Sequence, residues 1–314
     1  MSAHPPPRDE VPGVAGRPRR RWWTARRVDS LAGYLFIAPQ VLGSIVFVLV
    51  PLGMVFYYSL HEWNVLAGTF HFVGLDNYRQ LAEDPNTPSV LRATAFFSAG
   101  LVVLDLALAL LLAVLLNQKI RGIAFFRLLF FSPVVVSVVA WSIVWGFLLQ
   151  DNGGVNGILH AIGIDGPNWL RQGGTSIVSI ILVQVFKNVG LNMVLFLAAM
   201  QGVPPQLHEA AQLDGAGAWT RFWRITMPMI SPTILLASII TIAGSLQMFA
   251  QVSVLTQGGP GNATNVLVYY LYQQAFQFHH FGYGATLAVL LFGIVLALTL
   301  VQWRMRRKWV MYEV

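Results

Sequence analysis

The chain has 314 residues, 56% of them hydrophobic and only 11% charged, with a mean hydropathy of +0.62. That composition excludes an ordinary water-soluble domain and places most of the chain in lipid. The formal charge of +7 comes with no nucleic-acid-binding pattern, its cations sit beside apolar runs, and the lack of cysteine excludes disulfides and thiolate chemistry.

Residues 1–30 are rich in Pro and Arg and carry almost no apolar periodicity, so they read as a disordered basic tail. Arg19, Arg20, Arg21, Arg26 and Arg27 resemble the charged region of a signal peptide. The apolar stretch behind them, residues 31–60, is too long for one and lacks a small-residue cleavage site. It reads as an uncleaved first transmembrane helix, with Trp22 and Trp23 at the interface and bends at Pro39 and Pro51. A loop follows at 61–90, and then a five-helix core over 91–303. Its spans are expected at 91–117, 123–149, 175–200, 230–256 and 284–303, with a tail at 304–314.

Lys and Arg fix the expected orientation. With the N-terminus inside, 16 cations fall on inside segments and inner helix ends, against Arg79, Arg92 and Arg171 outside, while Lys187 lies within a span. Both termini are therefore expected in the cytoplasm, together with the segment at 202–229.

No site for covalent chemistry is apparent. There is no phosphate-cradling Gly-x-x-x-x-Gly-Lys-Ser/Thr segment, and His160, His208, His279 and His280 show no metal-ligand spacing. Asn262-Ala263-Thr264 fits a short glycosylation pattern. Two ionisable residues lie deep in spans at similar expected depth, Asp105 and Lys187. They read either as a structural ion pair or, for Lys187, as a solute contact in the passage. Gln184, Asn188 and Asn192 form one polar stripe; Ser238, Thr241 and Ser245 form another, with Gln247 and Gln251 further along. Such residues pack helices together or line a hydrophilic passage.

The stretch from Gly202 to Pro232 is the most specific in the chain. Pro204 and Pro205 can start a helix, Gln206 to Asp214 gives about two and a half turns, and Gly215 supplies the positive-φ residue that ends it. A second helix over 216–226 can then leave at an angle. Leu207, Ala210, Ala211 and Asp214 make a low-relief face with Glu209 beside it, suited to close approach by another protein.

Glu209-Ala210-Ala211, Gly215 and Ile225-Thr226-Met227-Pro228 fall in register over 20 positions, a spacing that resembles the EAA loop of ABC importer permeases, with Met227 in the place of Leu. Asp214-Gly215-Ala216 is similar to the carbohydrate-uptake members, as are Phe72 to Tyr78 and Leu255 to Pro260. Phe186-Lys187 stands where that family has Trp-Lys. The resemblance implies an all-α integral membrane protein of six transmembrane helices, the type I permease fold, working as the permease subunit of a sugar or oligosaccharide importer by alternating access. It implies coupling to the ATPase through Leu207, Glu209, Ala210, Ala211, Asp214, Gly215 and Ala216. By position it implies a passage near Asn188, Leu191, Asn192, Thr241, Gly244, Ser245 and Met248, to which the polar stripe adds Gln184 and the intramembrane charge adds Lys187. Expected partners are a second, different permease, an ATPase dimer holding ATP and Mg, an extracellular solute-binding protein, the sugar and membrane lipid. The setting is a bacterial or archaeal plasma membrane, with no cofactor in the chain itself. The rival reading is a stand-alone secondary transporter or channel for a small polar solute, for which broken helices around a midplane ion site would be the signature.

Overall fold

A computed structural model of the chain describes residues 22–118 and 121–309. The basic run Arg19–Arg21, Lys119 and the last residues of the expected C-terminal tail lie outside them, as do the side chains of Trp22 and Trp23. The chain divides into two compact units at Met54/Val55.

The first unit is helical. Helix α1 (Trp22–Ser44) begins inside the segment expected to be a disordered tail, and it continues through a π-turn at Ile45–Leu49 into α2 (Val50–Ser59). The widened turn lies just before Pro51, which has no N–H for an i−4 bond; Val50 N–H instead reaches back to Ile45 O. Apolar side chains along this segment, from Tyr34 to Met54, are exposed, as a lipid-facing helix requires.

In the second unit, the loop expected at 61–90 is structured. Strands β1 (His61–Asn64) and β2 (Thr69–Phe72) form an antiparallel hairpin, pairing His61 with Phe72 and Asn64 with Thr69. The Asn64 side chain closes the turn by accepting from the N–H groups of Leu66 and Ala67, both at 3.0 Å. Helix α3 (Asp76–Glu83) follows, then α4 (Thr87–Leu116), with Pro88 in its first turn.

The third expected span is not one helix. It consists of α5 (Ile123–Val135) and α6 (Val138–Leu148), bent by 103° at extended residues Val136 and Ser137. Pro133 sits in the last turn of α5 and cannot donate to the carbonyl of Leu129; the last bond of the helix runs from Val136 N–H to Pro133 O at 3.2 Å. After α7 (Gly154–Ala161) comes the long α8 (Gly173–Gln201). Two short helices then follow, α9 (Pro205–Leu213) and α10 (Ala218–Arg221). A π-turn at Phe222–Thr226 joins α10 to α11 (Met227–Leu246), so the fifth span runs unbroken over Ala218–Leu246 and starts well before residue 230. It stops short of the expected 256: the chain breaks at Gln247 and resumes as α12 (Ala250–Leu255). Helix α13 (Leu267–Tyr272) and α14 (Phe281–Trp309) complete the order, α14 passing the expected end at 303. Among the described residues, five helices are long and apolar enough to cross a membrane, six if the bent pair counts as one span.

Helix α8 is the centre of the second unit. It packs along α4, and also against α5 and α11. Phe97 and Leu101 of α4, Ile180, Met193 and Phe196 of α8, and Ile230 of α11 are fully buried there. A second cluster joins Val90, Leu267, Tyr270, Tyr283 and Leu287.

Beside that cluster, Asp84 ties three elements together. Its Oδ2 accepts from the hydroxyls of Tyr270, at 2.5 Å, and Tyr283, at 2.6 Å, and its Oδ1 accepts from Asn86. Burial pushes the Asp84 carboxyl up, but the bonds from Tyr270, Tyr283 and Asn86 outweigh it and hold the group below its usual value. Burial and the adjacent carboxylate push the Tyr270 hydroxyl up to about 12. Because the folded value of Asp84 is depressed, its contribution to stability is present above the unfolded carboxylate pKa, about 4, and is lost as pH falls through the folded value. Thermal melts of the detergent-solubilised protein should show this as an acid-side loss larger in the wild type than in Asp84→Asn. Parallel melting curves for the two across that window would remove Asp84 as the cause.

Candidate functional site

Two features stand out, a protruding two-armed segment between α8 and α11 and a seam of polar side chains inside the bundle. The first arm is α9. After it, Gly215 adopts φ +79° with open space around its Cα, so glycine is needed there for backbone conformation and not for room. The turn is closed by Ala216 N–H to Ala211 O at 2.9 Å and Gly215 N–H to Gln212 O at 3.1 Å. Arg221 on the second arm donates to Gln212 Oε1 at 3.2 Å and holds the two arms together.

Leu207, Glu209, Ala210, Asp214 and Gly215 are exposed, and Ala211 and Ala216 are half-buried, so the structure brings the predicted docking residues together on one projecting element. Reading the sequence missed the apolar residues beside them. Leu213 is 90% exposed, Trp219 73% and Trp223 49%, more apolar surface than a free loop presents to water. Trp219 and Trp223 are four apart on the second arm, a spacing that could have flagged them.

Within the bundle the expected Asp105–Lys187 pair does not form. Asp105, fully buried on α4, accepts a hydrogen bond from the Nδ2 of Asn192 on α8, and its Oδ1 has no protein partner. Asn192 also donates to Thr241 Oγ1 on α11 at 3.1 Å, so one amide links three helices. Lys187 points elsewhere: its Nζ donates to the carbonyls of Pro133 at 3.0 Å and Val136 at 2.5 Å, the two sides of the break in the third span. The physical reason is position on the helix. Lys187 and Asn192 are five residues apart, about 140° around α8, so one faces α5 and α6 while the other faces α4 and α11. Depth along the membrane alone, which suggested the pair, does not fix the facing.

The rest of the seam is similarly occupied. Gln251 Nε2 donates to Gln184 Oε1 at 2.7 Å, and Ser245 and Ser238 bond carbonyls of their own helix. Gln184, Lys187, Asn192, Thr241, Ser245 and Met248 are buried, Asn188 is half-buried, and Leu191, Gly244 and Gln247 are exposed. Residues expected to share a passage thus divide into buried ones, of which Gln184, Lys187, Asn192 and Thr241 bond across helices, and those that are more exposed.

The sequence profile of the binding-protein-dependent transport system inner membrane component matches residues 105–308. The chain belongs to that family. The probable ABC transporter permease protein YurN of Bacillus subtilis is 33% identical over 87% of this chain and 95% of its own length. The diacetylchitobiose uptake system permease protein NgcF of Streptomyces coelicolor is 32% identical, over 92% and 85%. The multiple sugar-binding transport system permease protein MsmF of Streptococcus mutans is 31% identical, over 91% and 99%. In fold, the chain is similar to one in the crystal structure of a bacterial alginate ABC transporter with an alginate pentasaccharide-bound periplasmic protein. The TM-score is 0.79 at 23% identity, with 94% of this chain and 100% of that one covered. This chain is therefore a multi-pass permease subunit of an ABC importer and not an enzyme.

The polar seam makes a direct prediction. Asn192→Leu should destabilise the protein by about 1–3 kcal/mol, because it leaves Asp105 and Thr241 buried without their donor. Asp105→Asn and Lys187→Met should be additive in the double variant, since the two residues share no partner. Melting temperatures of the wild type and these four variants in one detergent test both points; a non-additive pair would restore the ion pair.

Proposed function

We propose that this permease passes a sugar or oligosaccharide through a bacterial plasma membrane, with both termini cytoplasmic, driven by ATP and Mg held on a separate ATPase dimer. The observation that carries the reading is the projecting element made by α9, Gly215 and α10, whose exposed Leu207, Leu213, Trp219 and Trp223 call for a protein cover. The family, and the saccharide named for several relatives, support both the coupling role and the solute class. An extracellular solute-binding protein delivers the sugar, and a second, homologous permease completes the passage. The 16 inside cations support the orientation.

On this reading the solute meets the outward-facing residues Asn188, Leu191 and Gly244. Gln184, Lys187, Asn192, Thr241, Ser245 and Met248 form the wall behind them. Gly244 and Gln247 stand where the fifth span breaks, so exposed backbone there can serve a polar solute.

The test is coupling. Gly215→Val places a β-branched residue at positive φ, costing about 1–3 kcal/mol locally, and Glu209→Lys reverses the charge toward the ATPase. In proteoliposomes containing the assembled complex, both variants should insert normally yet lose uptake and the stimulation of ATP hydrolysis by loaded binding protein. Full stimulation in both would remove this element from transmission. The isolated chain should hydrolyse no ATP.

A further inference from the structure

We propose that Lys187 is a positioning residue for transport. By capping the break between α5 and α6, it sets the bend of the third span and with it the balance between the access states. The proposal rests on the importer reading for its functional consequence, but its structural part stands alone.

A broken helix in lipid leaves backbone groups without helical partners, and no water is present to take them. Here Val136 and Ser137 leave the helix, so the Val136 carbonyl has lost the N–H four residues on, and the Pro133 carbonyl keeps only a tighter bond from Val136 N–H at 3.2 Å. One side chain, that of Lys187, reaches both. It is 7% exposed, and no carboxylate pairs with it among the described residues.

The surrounding contacts concentrate on the same stretch of α8. Trp141, in the first turn of α6, donates its Nε1 to Val183 O at 3.0 Å. Its ring centre lies 5.9 Å from Lys187 Nζ and 5.5 Å from the Phe186 ring. On the other arm, Gly190 packs flush on the backbone at Phe130 and Phe131 of α5, leaving no room for a Cβ. Residues 183–190 of α8 thus hold both arms of the bend, and Lys187 holds its vertex. Further along α8, Asn192 bonds Thr241 of α11, the helix that is continuous with the projecting arm. A shift of that arm reaches α8 through this bond, and the bend through Lys187. The side chain is therefore placed to bias a two-arm element and not to hold solute.

The chain has no native cysteine, so labels can be placed at will. Spin labels at Phe126→Cys on α5 and Phe147→Cys on α6, both exposed, report the bend by electron–electron distance in the complex reconstituted with its ATPase and partner permease. Wild type and Lys187→Arg, which keeps donors for two carbonyls, should give one narrow distribution. Lys187→Met should give a longer and broader one. The ratio of binding-protein-stimulated to basal ATP hydrolysis should fall roughly fivefold or more in Lys187→Met, the lower end of a typical coupling effect, and return in Lys187→Arg. A purely structural role would lower the melting temperature without moving that ratio. Wild-type distances and ratio in Lys187→Met would overturn the proposal, as would Lys187→Arg failing as badly as Lys187→Met. Should Lys187→Met not assemble, Lys187→Gln, too short to reach both carbonyls, replaces it with the same expectations. If even the wild-type complex shows no stimulation, the importer reading fails, while the distances still decide whether Lys187 holds the bend.

Discussion

The structure depends on one constraint: inside a bilayer, a backbone N–H or C=O must find its partner within the protein. Unbroken helices meet it automatically, and α4, α8 and α11 do so over most of their length. The third span does not, because Val136 and Ser137 leave the helix. The bend leaves the Val136 carbonyl short of its helical donor and the Pro133 carbonyl with the Val136 N–H alone, and Lys187 on α8 reaches both. Other features of α8 follow from having to lie close enough for that contact. Gly190 permits backbone approach to α5, and the Val183 carbonyl takes the Trp141 indole.

The same constraint explains why the polar stripes are mostly turned inward. An amide facing lipid is costly, whereas one bonded to another helix is satisfied and orients both. Asn192 joins α4, α8 and α11 through Asp105 and Thr241, and the Gln184–Gln251 bond joins α8 to α12. These contacts fix three helices around α8 at points where apolar packing alone would allow sliding. What stays accessible, at Asn188, Leu191, Gly244 and Gln247, is less polar than the stripes suggested. On the proposed reading a second permease supplies part of the lining, so the accessible residues of one chain need not make a complete polar site.

Much of this could be read from residues with a single physical meaning. Gly215 had to adopt positive φ to turn the chain after Asp214, and it does, at +79°. Pro204 and Pro205 marked the start of α9, and the apolar runs placed α4, α5–α6 and α8 to within a few residues, whereas the fifth span lies about ten residues earlier than its apolar run suggested. The bend at 136–137 was not legible, because a proline inside an apolar run is compatible with a kink or with a break, and only the facing helix decides which. The hairpin at 61–72 has a local signature, Asn64 and Gly68 flanking a turn between aromatic residues, but its strands are only four residues each, too short to stand out from a loop. The facing of Asp105 and Lys187 was illegible for a different reason. Each has two neighbouring helices within reach, and the choice depends on helix rotations that no local pattern sets.

The continuity of the fifth span gives the projecting element its mechanical meaning. From Ala218 to Leu246 the chain is one helix of 29 residues, about 43 Å at 1.5 Å per residue. Its near end carries Trp219 and Trp223, exposed, and its body carries Thr241, buried and bonded to Asn192. A loop between these points would absorb a displacement in its own torsions. A helix transmits it, except at the π-turn of Phe222–Thr226, where one widened turn lets the near arm swivel without breaking the ladder. At the far end the helix stops at Gln247, so the same motion reaches the outward-facing Gly244 and the buried bond to α8 together. A displacement at Trp219 is thus delivered where the chain is both polar and broken, the place that the proposed function gives to the solute.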